Sequence, residues 1–206
     1  MFALMDRHYE NLQRDIFTAD LRAKDHAILL TDQDGAVHGF STVVAIGWDA
    51  STQLLFSGDT VVDHRYWGSH DLPATWLRHA MAQAQALPGR TFWLLLSKGY
   101  KTYKYLPLGF LQYYPHPDHP TPPEAQALID AFATSRYGDR YQDGIVQAGR
   151  DHVREEFARV PPDDRQATFF TARNPGYGDG DELVCLAEVA LDNLSRVGRR
   201  LVDAAE

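Results

Sequence analysis

The chain has 206 residues, 44% of them hydrophobic and 12% aromatic, and a formal net charge of −8. That composition belongs to a folded globular core and excludes a disordered chain, while the acidic balance excludes a general nucleic-acid binder, which sets clustered Lys and Arg against phosphates. With no apolar run of membrane-spanning length, no apolar leader pattern and a lone Cys185 that has no internal partner, the expected setting is the cytoplasm, away from membranes.

In chain order, residues 2–24 place Leu4, Met5, Tyr9, Leu12, Ile16 and Phe17 on one apolar stripe. That spacing predicts an amphipathic helix or a pair of helices, with His8 on the solvated side. Residues 27–31 and 37–48 flank the tight Asp32-Gln33-Asp34-Gly35 connection and read as a hairpin. Residues 53–63 add a third antiparallel strand. The polar turn from His64 to Asp71 leads into a helix over 72–87, with Leu72, Trp76, Leu77, Ala80, Met81 and Ala84 on one side and Ser69 or Asp71 as its cap. Pro88-Gly89 ends it. Residues 91–96 are wholly apolar and predict a strand buried on both faces, parallel to the third strand through a right-handed crossover. Ser97, Lys98 and Gly99 then release the chain into a short helix bearing Tyr100, Tyr103 and Tyr105.

Beyond a short strand at 111–114, the proline-rich stretch 115–123 (PHPDHPTPP) reads as a linker. The expected organisation is a main domain at 1–114 and a C-terminal α/β extension at 124–206. In that extension, 124–137, 145–160 and 191–205 read as helices, and 167–172 and 183–189 as strands around a flexible loop at 174–181. No internal repeat is present.

Two local patterns carry a resemblance. Arg65-Tyr66-Trp67-Gly68-Ser69-His70 follows a long strand and opens a helix, and Tyr105 stands four residues before Gly109-Phe110 on the short helix after the next strand. With the element order over residues 2–114, these resemble the GNAT acyltransferase superfamily. The resemblance implies a mixed, mostly antiparallel sheet with flanking helices (α/β, α+β). It also implies a Gly-containing turn whose N–H groups hold the phosphates of coenzyme A, and a tyrosine that protonates the leaving thiolate. Helix-start N–H groups and the helix dipole favour an anion on general grounds. Here His70 stands where the pattern has Gly or Ala, and Asp71 adds a carboxylate. The acyl-homoserine lactone synthases share this fold and take acyl groups from acyl carrier protein.

The expected function is therefore transfer of an acyl group from a thioester, acyl-CoA or acyl carrier protein, to a small-molecule amine. Arg65 is the candidate anchor for donor phosphates, with Trp67, Gly68, Ser69, Ser97 and Lys101 beside the donor. Asp63 or His64 is the candidate base, with Asp59 on the same strand face as Asp63. Tyr105 is the candidate acid and Tyr103 its substitute. Against these stand plainer roles: a surface ion pair for Arg65, a solvated turn for His64, an aromatic cluster for the tyrosines. Lys98, Lys101 and Lys104 read as a basic patch for phosphates or an acidic carrier protein. The competing class is a non-catalytic binding module with a degenerate GNAT fold, and a third use of the cleft is thioester hydrolysis. No metal is expected: His116, Asp118 and His119 offer ligand types but no further ligand. Cys185 lies in an apolar strand as an inert thiol. The sequence holds no G-x-S-x-G, Walker A or H-E-x-x-H pattern. The extension is expected to cover the acceptor pocket or to form a homodimer surface.

Overall fold

The N-terminal apolar stripe is broken by Asn11, which takes a left-handed φ of 59°. The chain therefore forms two helices, α1 (Phe2–His8) and α2 (Arg14–Arg22), around a two-residue strand, β1 (Tyr9–Glu10). The computed structural model describes residues 1–147 and 151–204. His8 is buried rather than solvated, at 3% exposure. Its ring packs at 4.7 Å from that of Phe157, a partner 149 positions away that no local pattern announces.

Strands β2 (His26–Thr31), β3 (Val37–Gly47) and β4 (Thr52–Val62) form the expected antiparallel meander. Helix α3 (Asp71–Ala86) then crosses over to β5 (Arg90–Ser97), parallel to β4. Gly89 makes the return possible: its φ is +98°, and a Cβ there would lie 2.2 Å from the Ser51 carbonyl oxygen. The next helices, α4 (Tyr100–Tyr103), α5 (Tyr105–Gly109) and α6 (Pro123–Tyr137), precede the short strands β6 (Tyr141–Gln142), β7 (Ile145–Val146) and β8 (His152–Val153). Last come α7 (Glu155–Ala158), α8 (Arg165–Arg173), β9 (Glu182–Glu188) and α9 (Arg196–Asp203).

The main sheet has the order β2-β3-β4-β5-β9-β7-β6, and β4–β5 is its parallel pair. It is the mixed, mostly antiparallel sheet with flanking helices that the sequence predicts. β5 alternates as a strand buried on both faces must. Trp93 and Leu95 enter one core with Trp76, Leu77, Tyr103 and Phe170, while Phe92, Leu94 and Leu96 enter a second with Phe132 and Ile129 of α6. β9 pairs with β5 from Phe92↔Glu188 to Ser97↔Leu183, so both sides of the proline-rich stretch contribute strands to one sheet.

Three expectations beyond residue 110 are corrected. Residues 167–172 are helical within α8: Asp164 accepts from the Gln166 and Ala167 N–H groups and caps it, and Ala167 and Phe170 share its buried face. Residues 145–160 do not form one helix. Asp143 and Gly144, with φ of 49° and 84°, make a two-residue turn joining β6 to β7. Residues 148–150 of that span lie outside the described residues. Residues 111–114 make only isolated bridges, Phe110↔Leu194 and Tyr114↔Leu186. Among the described residues no helix is long and apolar enough to cross a membrane.

Candidate functional site

Strands β4 and β5 stay paired only as far as Ser57↔Leu95. Trp93 closes that last rung, its Nε1–H donating to Ser57 Oγ at 2.5 Å. Beyond it β4 follows β3, and β5 follows β9. Between Ser41 and Val43 of β3, β4 advances from Thr60 to Ser57, one residue more than its partner. The extra residue is a bulge at Gly58-Asp59, which bends the strand and widens the gap.

That gap is lined through the sheet. On the α4 side lies a cleft of about 90 Å³, walled by Tyr9, Trp67, Lys101, Tyr105 and Phe157 among others. On the α6 side lies a cavity of about 270 Å³, reached by Asp59, Lys98, Asp151 and Glu182. A neck of about 30 Å³ shares Tyr9, Thr60, Lys98 and Thr102 with the first, and Asp59, Lys98, Asp151 and Glu182 with the second. One split in the sheet thus brings a phenol-lined mouth and a carboxylate-lined mouth together.

The expected base and anchor are engaged elsewhere. Asp63, 1% exposed, accepts from Arg65 through its backbone N–H at 3.1 Å, Nε at 2.9 Å and Nη2 at 2.8 Å. Arg7 adds a contact at 3.2 Å. The hydrogen bonds from Arg65 hold the Asp63 carboxyl well below the usual carboxylate range. A permanent, saturated anion of this kind takes no proton from a nucleophile, so Asp63 is not a base. The Arg65 fork is likewise filled. His64 is half-exposed and stacks on Phe157 at 5.4 Å.

The phosphate turn is closed as well. Gly68 takes the left-handed φ of +93°, but the Ser69 N–H is bonded to the Tyr66 carbonyl. The Ser69 hydroxyl donates to the Asp71 carboxylate at 2.5 Å and accepts from the Asp71 N–H at 3.1 Å. Asp71 therefore adds a negative charge at the first turn of α3, which disfavours an incoming anion there.

The three lysines do not form a patch; each is held by the C-terminal half. Lys98 meets Asp151 and Glu182. Burial works against its charge, yet Glu182 and Asp151 prevail and keep its pKa above the usual lysine value. Lys101 Nζ lies 3.7 Å from the centre of the Trp67 ring and donates to the Phe157 carbonyl at 2.6 Å. Burial brings its pKa down to about 8. Lys104 pairs with Asp164 at 2.5 Å. The Ser97 hydroxyl donates to the Gly99 carbonyl at 2.8 Å and shapes the turn out of β5.

Tyr105 lines the cleft, and burial alone pushes its phenol up to about 12. Tyr103 is fully buried and donates to the Pro115 carbonyl at 2.8 Å, which fixes it as a packing residue. Asp59 reaches both the neck and the larger cavity. Burial first, then the charge of Asp20, raises its pKa to about 6, against the opposing pull of Lys24 and Lys98. No cation among the described residues lies within ion-pair distance of it. Tyr9, Asp151, Phe157 and Glu182 also belong to the site, and the sequence pattern singles out none of them.

His8, Asp63 and His64 bring ligand atoms within 4.8 Å of one another, the one such metal-ligand grouping among the described residues. The chemistry does not suit a cation. His8 Nδ1 meets the Leu4 carbonyl at 2.9 Å and Nε2 accepts the His64 N–H at 3.2 Å. Two arginines already balance Asp63. A larger cleft, about 600 Å³, opens at the far end of the sheet. Its only cation among the described residues, Arg90, is clamped by Glu188 at 2.8 Å and Glu124 at 2.5 Å. No protein-family model, curated protein or solved structure matches the chain.

Proposed function

We propose that the chain is a GNAT-like acyltransferase that moves an acyl group from a thioester donor to a small-molecule amine. One observation carries this reading: the β4–β5 split joins a cleft holding Tyr105 to a cavity holding Asp59. A thioester laid in the neck would present its sulfur to the phenol and its carbonyl carbon to a nucleophile from the other side.

The chemistry divides between those two residues. The amine nitrogen attacks the carbonyl carbon and the C–S bond breaks. Asp59, with a pKa of about 6, is ionised at neutral pH and accepts the proton the nitrogen sheds as the C–N bond forms. Tyr105 stays protonated at that pH and supplies a proton to the departing sulfur. A thiolate leaving inside an apolar cleft is itself made more basic by burial. The phenol and the thiolate are thus raised together. Much of the acceleration comes from holding amine and thioester in register.

The donor enters past a strap. Val153 and Phe157 cover the cleft from the β8–α7 segment, and β8 pairs with β1 through Tyr9↔Val153. At about 90 Å³ the cleft is too small for a pantetheine arm until Phe157 swings away. With the α3 turn closed by Asp71, a carrier-protein donor that keeps its phosphate outside suits the site better than coenzyme A. The closed turn also favours the second reading, a binding module without turnover.

Free thiol release separates the two. With an acyl carrier protein or acyl-CoA donor and a mixture of amines, the transferase reading expects thiol release that depends on amine and falls in Tyr105→Phe. Thiol release from no donor, together with no donor-induced rise in melting temperature, would leave the binding module. Release without amine would point to hydrolysis.

A further inference from the structure

The α6-side mouth of the split carries its charges in a definite order. The residues it shares with the neck are the inner ones: Asp59, Lys98, Asp151 and Glu182. Those that line the larger cavity alone include Asp20, Lys24 and Arg136; the Lys24 side chain is buried beside Gly58, and Arg136 is exposed at the outside. Most are already matched. Lys98 is held by Asp151 and Glu182, and Lys24 pairs with Asp20 at 2.9 Å. Two are not. Asp59 has no cation within ion-pair distance among the described residues. Arg136 has no carboxylate partner among them either, and its guanidinium rests 4.8 Å over the Phe56 ring. The cavity therefore holds an unmatched anion beside the neck and an unmatched cation toward the outside, with Leu12, Ile16 and Phe56 as apolar wall between the polar groups.

We infer that this cavity binds a free α-amino acid, or a small zwitterion built like one, with its ammonium nitrogen at Asp59 and its carboxylate at Arg136. In naming that molecule the acyl acceptor, the inference rests on the transferase reading above. A simple carboxylic acid would meet Asp59 with like charge. A polycation would meet Arg136 and Lys24 with like charge. A bipolar molecule satisfies both ends. The volume, about 270 Å³, falls just under the range of drug-sized ligand pockets and suits one small molecule rather than a peptide segment. The apolar wall selects a hydrophobic side chain. The orientation is also the productive one: a nitrogen at Asp59 faces the neck shared with Tyr9, Thr60 and Thr102, where the thioester carbon would lie. There the ammonium first loses one proton to solvent to become the nucleophilic amine; as the C–N bond forms a second proton passes to Asp59, the C–S bond breaks and Tyr105 gives its proton to the departing sulfur.

Isothermal titration of the full chain with individual free amino acids tests the site without any donor. At least one with an apolar side chain is expected to bind. Its N-acetyl form should bind about 10-fold more weakly or worse, and Asp59→Asn should cost the free amino acid a similar factor. Its amide should bind several-fold more weakly than the acid to the wild type, yet equally with it to Arg136→Gln. The ligand series carries the test on the wild type alone if a variant does not fold. The inference is overturned if no amino acid binds at tens of millimolar, or if binding ignores N-acetylation and the loss of the carboxylate. Thiol release then separates the two readings. Amino-acid binding without release from any donor would end the transferase reading and leave this site standing. Release driven equally well by amines lacking a carboxylate would end this inference and leave the transferase.

Discussion

Arg65 reaches back two residues and closes on Asp63 with Nε at 2.9 Å and Nη2 at 2.8 Å, at the point where β4 ends. The pair ties the end of the strand to the turn before α3, and Arg7 ties α1 to the same carboxylate at 3.2 Å.

Asp63→Asn should therefore cost stability rather than chemistry, by about 2 kcal/mol for a lost set of charge-assisted hydrogen bonds. The thermal midpoint should fall by several degrees. Because the folded-state pKa of Asp63 is depressed, its contribution is complete above the ordinary carboxylate value and is lost as pH falls toward the folded one. Thermal unfolding of wild type and variant from pH 7 down to pH 3 checks this: the gap between the two curves should hold down to about pH 4 and narrow below it. Amine-dependent thiol release, measured well below the melting temperature, should stay within a few-fold.

Asp59 works in the opposite direction. Its folded-state pKa is raised to about 6, so the stability it contributes is complete below the ordinary carboxylate value and is lost as pH rises through about 6. The groups facing it are Asp20 of α2, Lys24 just after it, Lys98 beyond β5, Asp151, Glu182 of β9 and Tyr9 of β1. Asp59→Asn removes the cost of an unmatched charge. The variant should melt higher than wild type at pH 8, by up to about 3 kcal/mol in stability. That advantage should shrink as pH falls below 6. A variant that is less stable at pH 8 would contradict the assignment of an uncompensated charge.

Tyr105→Phe should lower turnover by about 10²-fold with an alkyl thioester, the lower end for a lost general acid. An aryl thioester, whose thiolate leaves without a proton, should lose little. Measuring both donors on both proteins decides the role. An equal loss with both would make Tyr105 a positioning residue for the donor.

Phe157→Ala should uncover the cleft. Its ring stacks on His64 at 5.4 Å, packs tilted against His8 at 4.7 Å and walls the cleft. Steady-state kinetics should show a lower KM for the donor with turnover within a few-fold, and unfolding should show a loss of about 1–3 kcal/mol from the packing removed. A raised donor KM would mean that Phe157 helps to hold the donor.

Much of the scaffold was legible because local patterning agreed with the final packing. The unbroken apolar run in β5, the stripe on α3 and the Pro88-Gly89 stop all point to the crossover that the structure shows. The C-terminal half was less legible. The Asp143-Gly144 pair is a hairpin signal hidden by strands of two residues each, and α8 has a strand-like composition overruled by the Asp164 cap. The site was legible only in part. Tyr105 and Asp59 came from the chain region the pattern marks, but Asp63, a candidate base in the sequence, is held by Arg7 and Arg65 instead. Tyr9, Asp151, Phe157 and Glu182 come from segments far apart in the chain. Nothing in their local spacing predicts that one gap in a sheet will gather them.

The position of β9 beside β5 has a consequence for biosynthesis. Until residue 188 has left the ribosome, one edge of the apolar strand β5 has no partner. At roughly 5–20 residues per second, the intervening 90 or so residues take roughly 5–18 seconds to make. Throughout that interval the nascent chain displays Phe92, Trp93 and three consecutive leucines along an open strand edge, the kind of surface that seeds aggregation or recruits chaperones. A fragment that stops in the proline-rich stretch would hold that state permanently, and its yield as soluble protein should depend on chaperone supply far more than that of the full chain.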